Sequence, residues 1–220
     1  GEIEKLQVSI KGPTDFVSNA DLKAEKTIIE ELKKARPNYS IISEEDGSES
    51  NKDKKNTWII DPIDGTTNFL HGVPHFSISI ALKSENEIIS GLIYDPIKDE
   101  MFYAEKDNGA FFNNQRIRVS KKKEINSCLF ATGGKYKNEI DLTIRKSGSA
   151  ALDLAYVAAG RYDGYFQNEL NLWDIAAGII ILKEAGGIIN EIDLSQIKKI
   201  QIRASSMTIN EKMLEKLKNF

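Results

Sequence analysis

The stretch Trp58-Ile59-Ile60-Asp61-Pro62-Ile63-Asp64-Gly65-Thr66-Thr67-Asn68-Phe69, residues 58–69, carries an apolar run straight into two carboxylates three residues apart. Thr57 to Ile60 reads as a buried strand. Asp61 therefore arrives where the sheet stops, and Pro62, which has no N–H, forbids the ladder from continuing. The turn then projects Asp64 to the same side. Between the two acids the carbonyl of Ile63 is a third oxygen without a ladder partner, and hard oxygens so closely spaced suit Mg²⁺. Gly65-Thr66-Thr67 looks like a helix start, whose unpaired N–H groups and positive dipole end would accept a phosphate. By itself Asp-Pro-Ile-Asp-Gly is equally an ordinary turn.

Working outward, two other segments place acid at an element end. Glu44-Glu45 follows a strand at Ile41-Ile42, and Trp173-Asp174 heads an apolar helix beginning at Ile175. Taken singly, an acid pair in a loop is ordinary solvated surface and Asp174 an ordinary N-cap. Before Glu44, Ser18-Asn19-Ala20-Asp21 resembles a capping box, and Ala24, Ile28, Leu32 and Ala35 recur at helical spacing until Pro37. After Asp64, Phe76 to Ile80 alternates with a period of two, apolar side in. Strands follow at Ile88 to Tyr94, Met101 to Ala104 and Ala110 to Phe112, the last closing on an Asn113-Asn114 hairpin turn. This half reads as antiparallel. The second half predicts helices at Ala150 to Ala159, stopped by Gly160, and at Ile175 to Ala185, stopped by Gly186-Gly187. A last helix is boxed by Thr208-Ile209-Asn210-Glu211. Helices apolar on nearly all sides must be buried between layers, so the fold class is α/β or α+β with more than one sheet. An N-terminal half over 1–125 carries the main acid motif, and a C-terminal half over 126–220 completes the site.

Composition narrows the function. With 220 residues, 40% of them hydrophobic, the chain can bury a sizeable core. The 33 acidic and 30 basic residues give a net charge of −3, which recruits neither nucleic acid nor an anionic membrane and points to a small-molecule partner. No apolar stretch is long enough to span a bilayer and no signal peptide opens the chain. A single cysteine, Cys128, excludes an internal disulfide and fits a cytoplasmic setting; the sequon at Asn38-Tyr39-Ser40 is then chance.

Glu44-Glu45, then Asp61-Pro62-Ile63-Asp64-Gly65-Thr66-Thr67-Asn68-Phe69, then Trp173-Asp174-Ile175-Ala176-Ala177-Gly178 with Glu184-Ala185-Gly186-Gly187, resemble the inositol monophosphatase family of magnesium-dependent, lithium-sensitive phosphatases. The resemblance runs from about Lys11 to Gly187. It implies a layered αβαβα sandwich, usually a homodimer, that hydrolyses phosphate monoesters with two or three Mg²⁺. It further implies Glu44, Asp61 and the Ile63 carbonyl as ligands of one ion, and Asp61, Asp64 and Asp174 as ligands of a second. Glu44 would lie near the attacking water, which Thr66 and Asp21 would orient or activate. Gly65 and Thr66 would contact the phosphate, and Gly148-Ser149-Ala150 the alcohol half of the substrate. Charge supports the cations independently, because four ionised carboxylates and a phosphate dianion would total about −6 in one pocket, which no protein stabilises unaided.

Departures from the family pattern bear on substrate. Seven residues before Asp174, where inositol-specific members often have a glutamate, stands the neutral Gln167. The helix of about 25 residues that normally precedes the position of Lys11 is nearly absent, the segment between Gly187 and Ile202 is short, and residue 1 is glycine. A trimmed chain or a minimal member is expected. Other sites fare worse. His71 and His75 are separated by Gly72 and Pro74, which break any helix that would align them on zinc. Gly133-Gly134-Lys135 is not a Walker-type loop, no Gly-x-Ser-x-Gly elbow occurs, and Lys121-Lys122-Lys123 reads as a solvated loop. The expectation is a Mg²⁺-dependent phosphomonoesterase acting on inositol monophosphate or a similar polyol phosphate. The alternatives are 3′(2′),5′-bisphosphate nucleotidase or fructose-1,6-bisphosphatase activity, and a regulatory binding protein on the same scaffold, like bacterial extragenic-suppressor proteins.

Overall fold

A computed structural model describes residues 8–12, 15–134 and 140–218. A hairpin of β1 (Val8–Gly12) and β2 (Asp15–Ser18) leads into α1 (Asn19–Ala35). The cap expected at Ser18 falls outside the described side chains, as does Lys135. Eight strands then form one sheet: β3 (Tyr39–Ser43), β4 (Gly47–Glu49), β5 (Asp53–Asp64), β6 (Ser77–Ser84), β7 (Glu87–Asp95), β8 (Glu100–Glu105), β9 (Gly109–Phe112) and β10 (Gln115–Arg116). Their order is β10-β9-β8-β7-β6-β5-β3-β4, with the short helix α2 (Thr66–Leu70) between β5 and β6. The antiparallel expectation holds except where β3 pairs with β5 in parallel. There β4 hairpins onto the outer edge of β3, so the chain re-enters on the inner edge running the same way as β3. Asn113 and Asn114 both adopt positive φ between β9 and β10, as a tight hairpin turn requires.

The second sheet contains β11 (Leu129–Ala131), β12 (Thr143–Arg145), β13 (Gly164–Leu170), β14 (Gly187–Ile189) and β15 (Ile200–Ser206), in the order β12-β11-β13-β15-β14. Between the two sheets lie α3 (Ala150–Ala158) and α4 (Leu172–Glu184), whose side chains are buried almost throughout, as their all-apolar sequences anticipated. Helix α1 covers the outer face of the first sheet at β5, and α5 (Asn210–Lys216) covers the second at β15. The molecule is therefore the layered αβαβα sandwich, with one core around α3 and α4 and a smaller one under α5 built on Phe130, Phe166, Ile209 and Met213. At Gly91 of β7 a Cβ would sit 2.8 Å from the Ala177 carbonyl and 2.7 Å from Ile180, so glycine there sets how closely α4 approaches the sheet.

Four local expectations are corrected. Strand β5 runs on through Pro62 to Asp64, and the ladder with β6 slips by one residue between Asp61↔Ser79 and Asp64↔Ser77; proline sits in this bulge rather than ending the strand. On β6 the deeper face belongs to Ser77, Ser79 and Ala81 while Ile78 and Ile80 are half-buried, because α4 lies against the small side chains. Helix α4 begins at Leu172, and Asp174 is in its first turn rather than at the N-cap, accepting the Asn171 N–H at 2.7 Å. The Thr208 box does not form: the Thr208 hydroxyl donates instead to the Lys122 carbonyl at 2.6 Å, leaving α5 without a side-chain cap.

Candidate active site

The bulge of β5 aims its acids. Asp61, 1% exposed, accepts the Ile63 N–H at 3.1 Å in a local turn, which holds the carboxylate at the strand end and orients the Ile63 carbonyl. That carbonyl accepts the Thr66 hydroxyl at 3.0 Å, and the Asp21 carboxylate of α1 lies 3.3 Å from the same hydroxyl. One hydroxyl proton serves either acceptor, not both at once. Gly65 has φ of +96°, a left-handed conformation, and a Cβ there would press on the Gly148 and His75 carbonyls at 3.2 Å. The turn is thus held against the loop before α3. Asn68 ties the two together, donating to the His75 carbonyl at 2.7 Å and the Ser147 carbonyl at 2.8 Å.

Asp64 receives the Ser149 hydroxyl and the Ala151 N–H (2.8 Å) on one oxygen and the Ala150 N–H (3.2 Å) on the other. It caps the N-terminus of α3 from across the seam. Asp174, heading α4, comes from the opposite side. Glu44 is held at the end of β3 by its own N–H to the Ile60 carbonyl at 3.2 Å. These acids line one cavity of about 400 Å³ together with Ile63, Gly65, Thr66, Gly148, Ser149, Ala150 and Gln167. Every expected ligand and substrate contact is therefore at its wall; Asp21 stands behind Thr66. His71 and His75 do not line it.

Electrostatics bind the acids into one group. Burial pushes Asp61 well up from the usual carboxylate range, and the charges of Glu44, Asp64 and Asp174 push it further. Its carboxyl also shares a hydrogen bond with that of Glu44. Burial raises Asp64 to about 6 against its hydrogen bonds to Ser149, Ala151 and Ala150. It raises Asp174 to about 7 against the Asn171 bond, with Asp64 adding to the rise. The donor set is all oxygen, which fits a hard divalent cation. Among the described residues no three His, Cys, Asp or Glu side chains gather closely enough to hold one ion by themselves. Mg²⁺ fits such a spread-out wall, since it keeps waters and is held through a few carboxylates plus substrate oxygens.

A sequence profile of the inositol monophosphatase family matches residues 2–219. The chain belongs to that family. It is 48% identical to the inositol-1-monophosphatase of Rhizobium meliloti, over 85% of this chain and 76% of that protein. It is 40% identical to the Nus factor SuhB of Haemophilus influenzae, over 98% of this chain and 87% of that protein. The fold superposes with a TM-score of 0.92 on the extragenic suppressor protein suhB of Bartonella henselae, 46% identical, covering 99% of this chain and 90% of that one. Within the inositol monophosphatase family, then, this chain resembles proteins of two different functional names at comparable identity. At or beside the cavity, Asp153 and Ser147 escaped the sequence reading, while Gly133 was weighed only as part of a Walker-type loop and Asn68 only as a member of the motif. Asp153 is 1% exposed, accepts the Ser147 hydroxyl at 2.7 Å and is pushed well up by burial. Its only signal in the sequence was an acid within an otherwise apolar helix.

Proposed function

We propose that this chain is a Mg²⁺-dependent phosphomonoesterase that converts inositol monophosphate or a similar polyol or sugar phosphate to alcohol and phosphate. The observation that carries this reading is the convergence of Glu44, Asp61, Asp64 and Asp174, from three separated segments, on the wall of one cavity that also contains the Gly65-Thr66 turn. Glu44, Asp61 and the Ile63 carbonyl would hold one ion, and Asp61, Asp64 and Asp174 would hold a second together with waters and substrate oxygens. Bound cations there would neutralise the ester phosphate and acidify a water. The protein's own part is orientation. When the Thr66 proton is donated to Asp21, the lone pairs of Thr66 Oγ1 become the acceptor for one proton of the attacking water, and Glu44 lies on the same wall to take the other. The Gly65 turn would offer its N–H groups to the phosphate, while Gly148, Ser149, Ala150 and Gln167, on the same wall, would face the alcohol half.

Phosphate release from a panel of inositol, sugar and nucleotide phosphates, with Mg²⁺ and with chelator, tests this. Mg²⁺-dependent release from a polyol monophosphate supports it, and release only from nucleotide or fructose bisphosphates would move the assignment to those activities. The Nus factor name of a relative 40% identical over 98% of the chain favours a second reading, a regulatory binding role on the phosphatase scaffold. Inactivity on every ester at saturating Mg²⁺ would select that reading.

A further inference from the structure

Gln167 presents a chemistry opposite to that of the acids around it. Tyr165 and Gln167 are two apart on β13 and so share a face of the strand. The buried Tyr165 hydroxyl donates to Gln167 Oε1 at 2.7 Å, and the Gly133 N–H donates to the same oxygen at 2.7 Å. A backbone N–H can only donate, so the amide atom facing Gly133 is the oxygen. Two donors occupy that oxygen's two lone pairs. A side chain at position 133 would overlap the Gln167 amide, so glycine there is what allows the clamp to close. Nε2, with both its N–H donors, has no partner among the described residues and belongs to a side chain on the cavity wall, beside Gly148, Ser149 and Ala150. Asp153, an acid on the same wall, accepts the Ser147 hydroxyl rather than the Gln167 amide.

We propose that Gln167 is a specificity-determining residue. Its clamped amide offers only N–H donors to the alcohol half of the ester, and so favours esters whose alcohol half carries an anionic acceptor, a carboxylate or a second phosphate, over those with hydroxyls alone. The proposal rests on the phosphatase reading above. A hydroxyl also accepts, but an anion forms the stronger, charge-assisted bond and gains it without a competing donor.

The test uses two matched pairs of esters at saturating Mg²⁺: glycerol 2-phosphate against 2-phosphoglycerate, and inositol 1-phosphate against inositol 1,4-bisphosphate. In Gln167→Glu one oxygen still serves Gly133 and Tyr165 while the other puts charge where Nε2 stood. The kcat/KM ratio of the anionic over the hydroxyl-only member should fall by about tenfold or more in at least one pair. A fall in the glycerate pair alone identifies a carboxylate and in the inositol pair alone a second phosphate. Gln167→Leu, which removes the donors without adding charge, should lower the same ratio by about threefold or more and covers the case in which the glutamate variant does not fold. Ratios within about twofold of wild type in both pairs, in a variant that melts as wild type does, overturn the proposal. Wild-type inactivity on all four esters would instead sink the phosphatase reading, and this one with it.

Discussion

Asp64 has two parts to play: it closes the N-terminus of α3, and it lines the cavity where it is proposed as a cation ligand. In Asp64→Asn one amide oxygen can still receive the Ser149 hydroxyl and the Ala151 N–H, while the charge is lost. Turnover should therefore drop by about 10³-fold or more with the melting temperature changed by only a few degrees, measured by phosphate release and thermal denaturation. Wild-type kinetics in that variant would remove Asp64 from the proposed ligands. Thr66→Val deletes the hydroxyl that lies between Asp21 and the Ile63 carbonyl. Its kcat should fall about 10²-fold while the Mg²⁺ concentration for half-maximal activity stays put, because the oxygens proposed to hold the ion are untouched. The acids were legible in the sequence because each borders an apolar run, Glu44 and Asp61 at its end and Asp174 at its head, so burial and charge meet at a visible boundary. Asn68 was not, since its partners are backbone carbonyls, one of them 79 residues away, and a bond to backbone leaves no mark on spacing.

Among the elements, α1 does more than cover the sheet. Asp21 and Glu25 stand four apart on its buried face, and Glu25, 1% exposed, accepts the N–H groups of Glu45 (3.1 Å) and Asp46 (2.8 Å). The turn carrying Glu44 is thus fastened to the same helix that addresses Thr66. Glu25→Ala leaves two backbone donors to find other partners, and should cost about 1–3 kcal/mol in urea denaturation while raising the Mg²⁺ requirement of turnover. An unchanged Mg²⁺ requirement would limit Glu25 to a structural role. The two central helices were legible because nothing but burial between layers suits a helix apolar all round. The orientation of β6 was not. A period of two says which residues share a face, and when both faces are covered it does not say which lies deeper; α4 needed the serine and alanine face for close approach. The parallel β3–β5 pair was likewise hidden, because it follows from where β4 folds back and not from the character of either strand.

For the molecule as a whole, the layering creates a seam in which buried acids from the first sheet and from the helices packed behind it confront one another, and this couples its stability to pH and to cations. Without cations the folded protein holds Asp64 at about 6 and Asp174 at about 7, against 3.8 for an ordinary aspartate. From about 3.8 up to those values the folded state binds more protons than the unfolded chain, so these groups make stability fall as pH rises through that window and add no further slope above it. A divalent cation binds the deprotonated form and should release protons as it does so. Excess Mg²⁺ should therefore raise the melting temperature by several degrees at about pH 7.5 and by much less at about pH 5. Comparing melts with and without Mg²⁺ at each pH cancels the titration of every group remote from the seam. An Asp174→Asn variant should lose most of the Mg²⁺ effect at the higher pH. If Mg²⁺ instead shifts the wild-type melt equally at both pH values, the ion is not competing with protons for these carboxylates, and the ligand assignment fails.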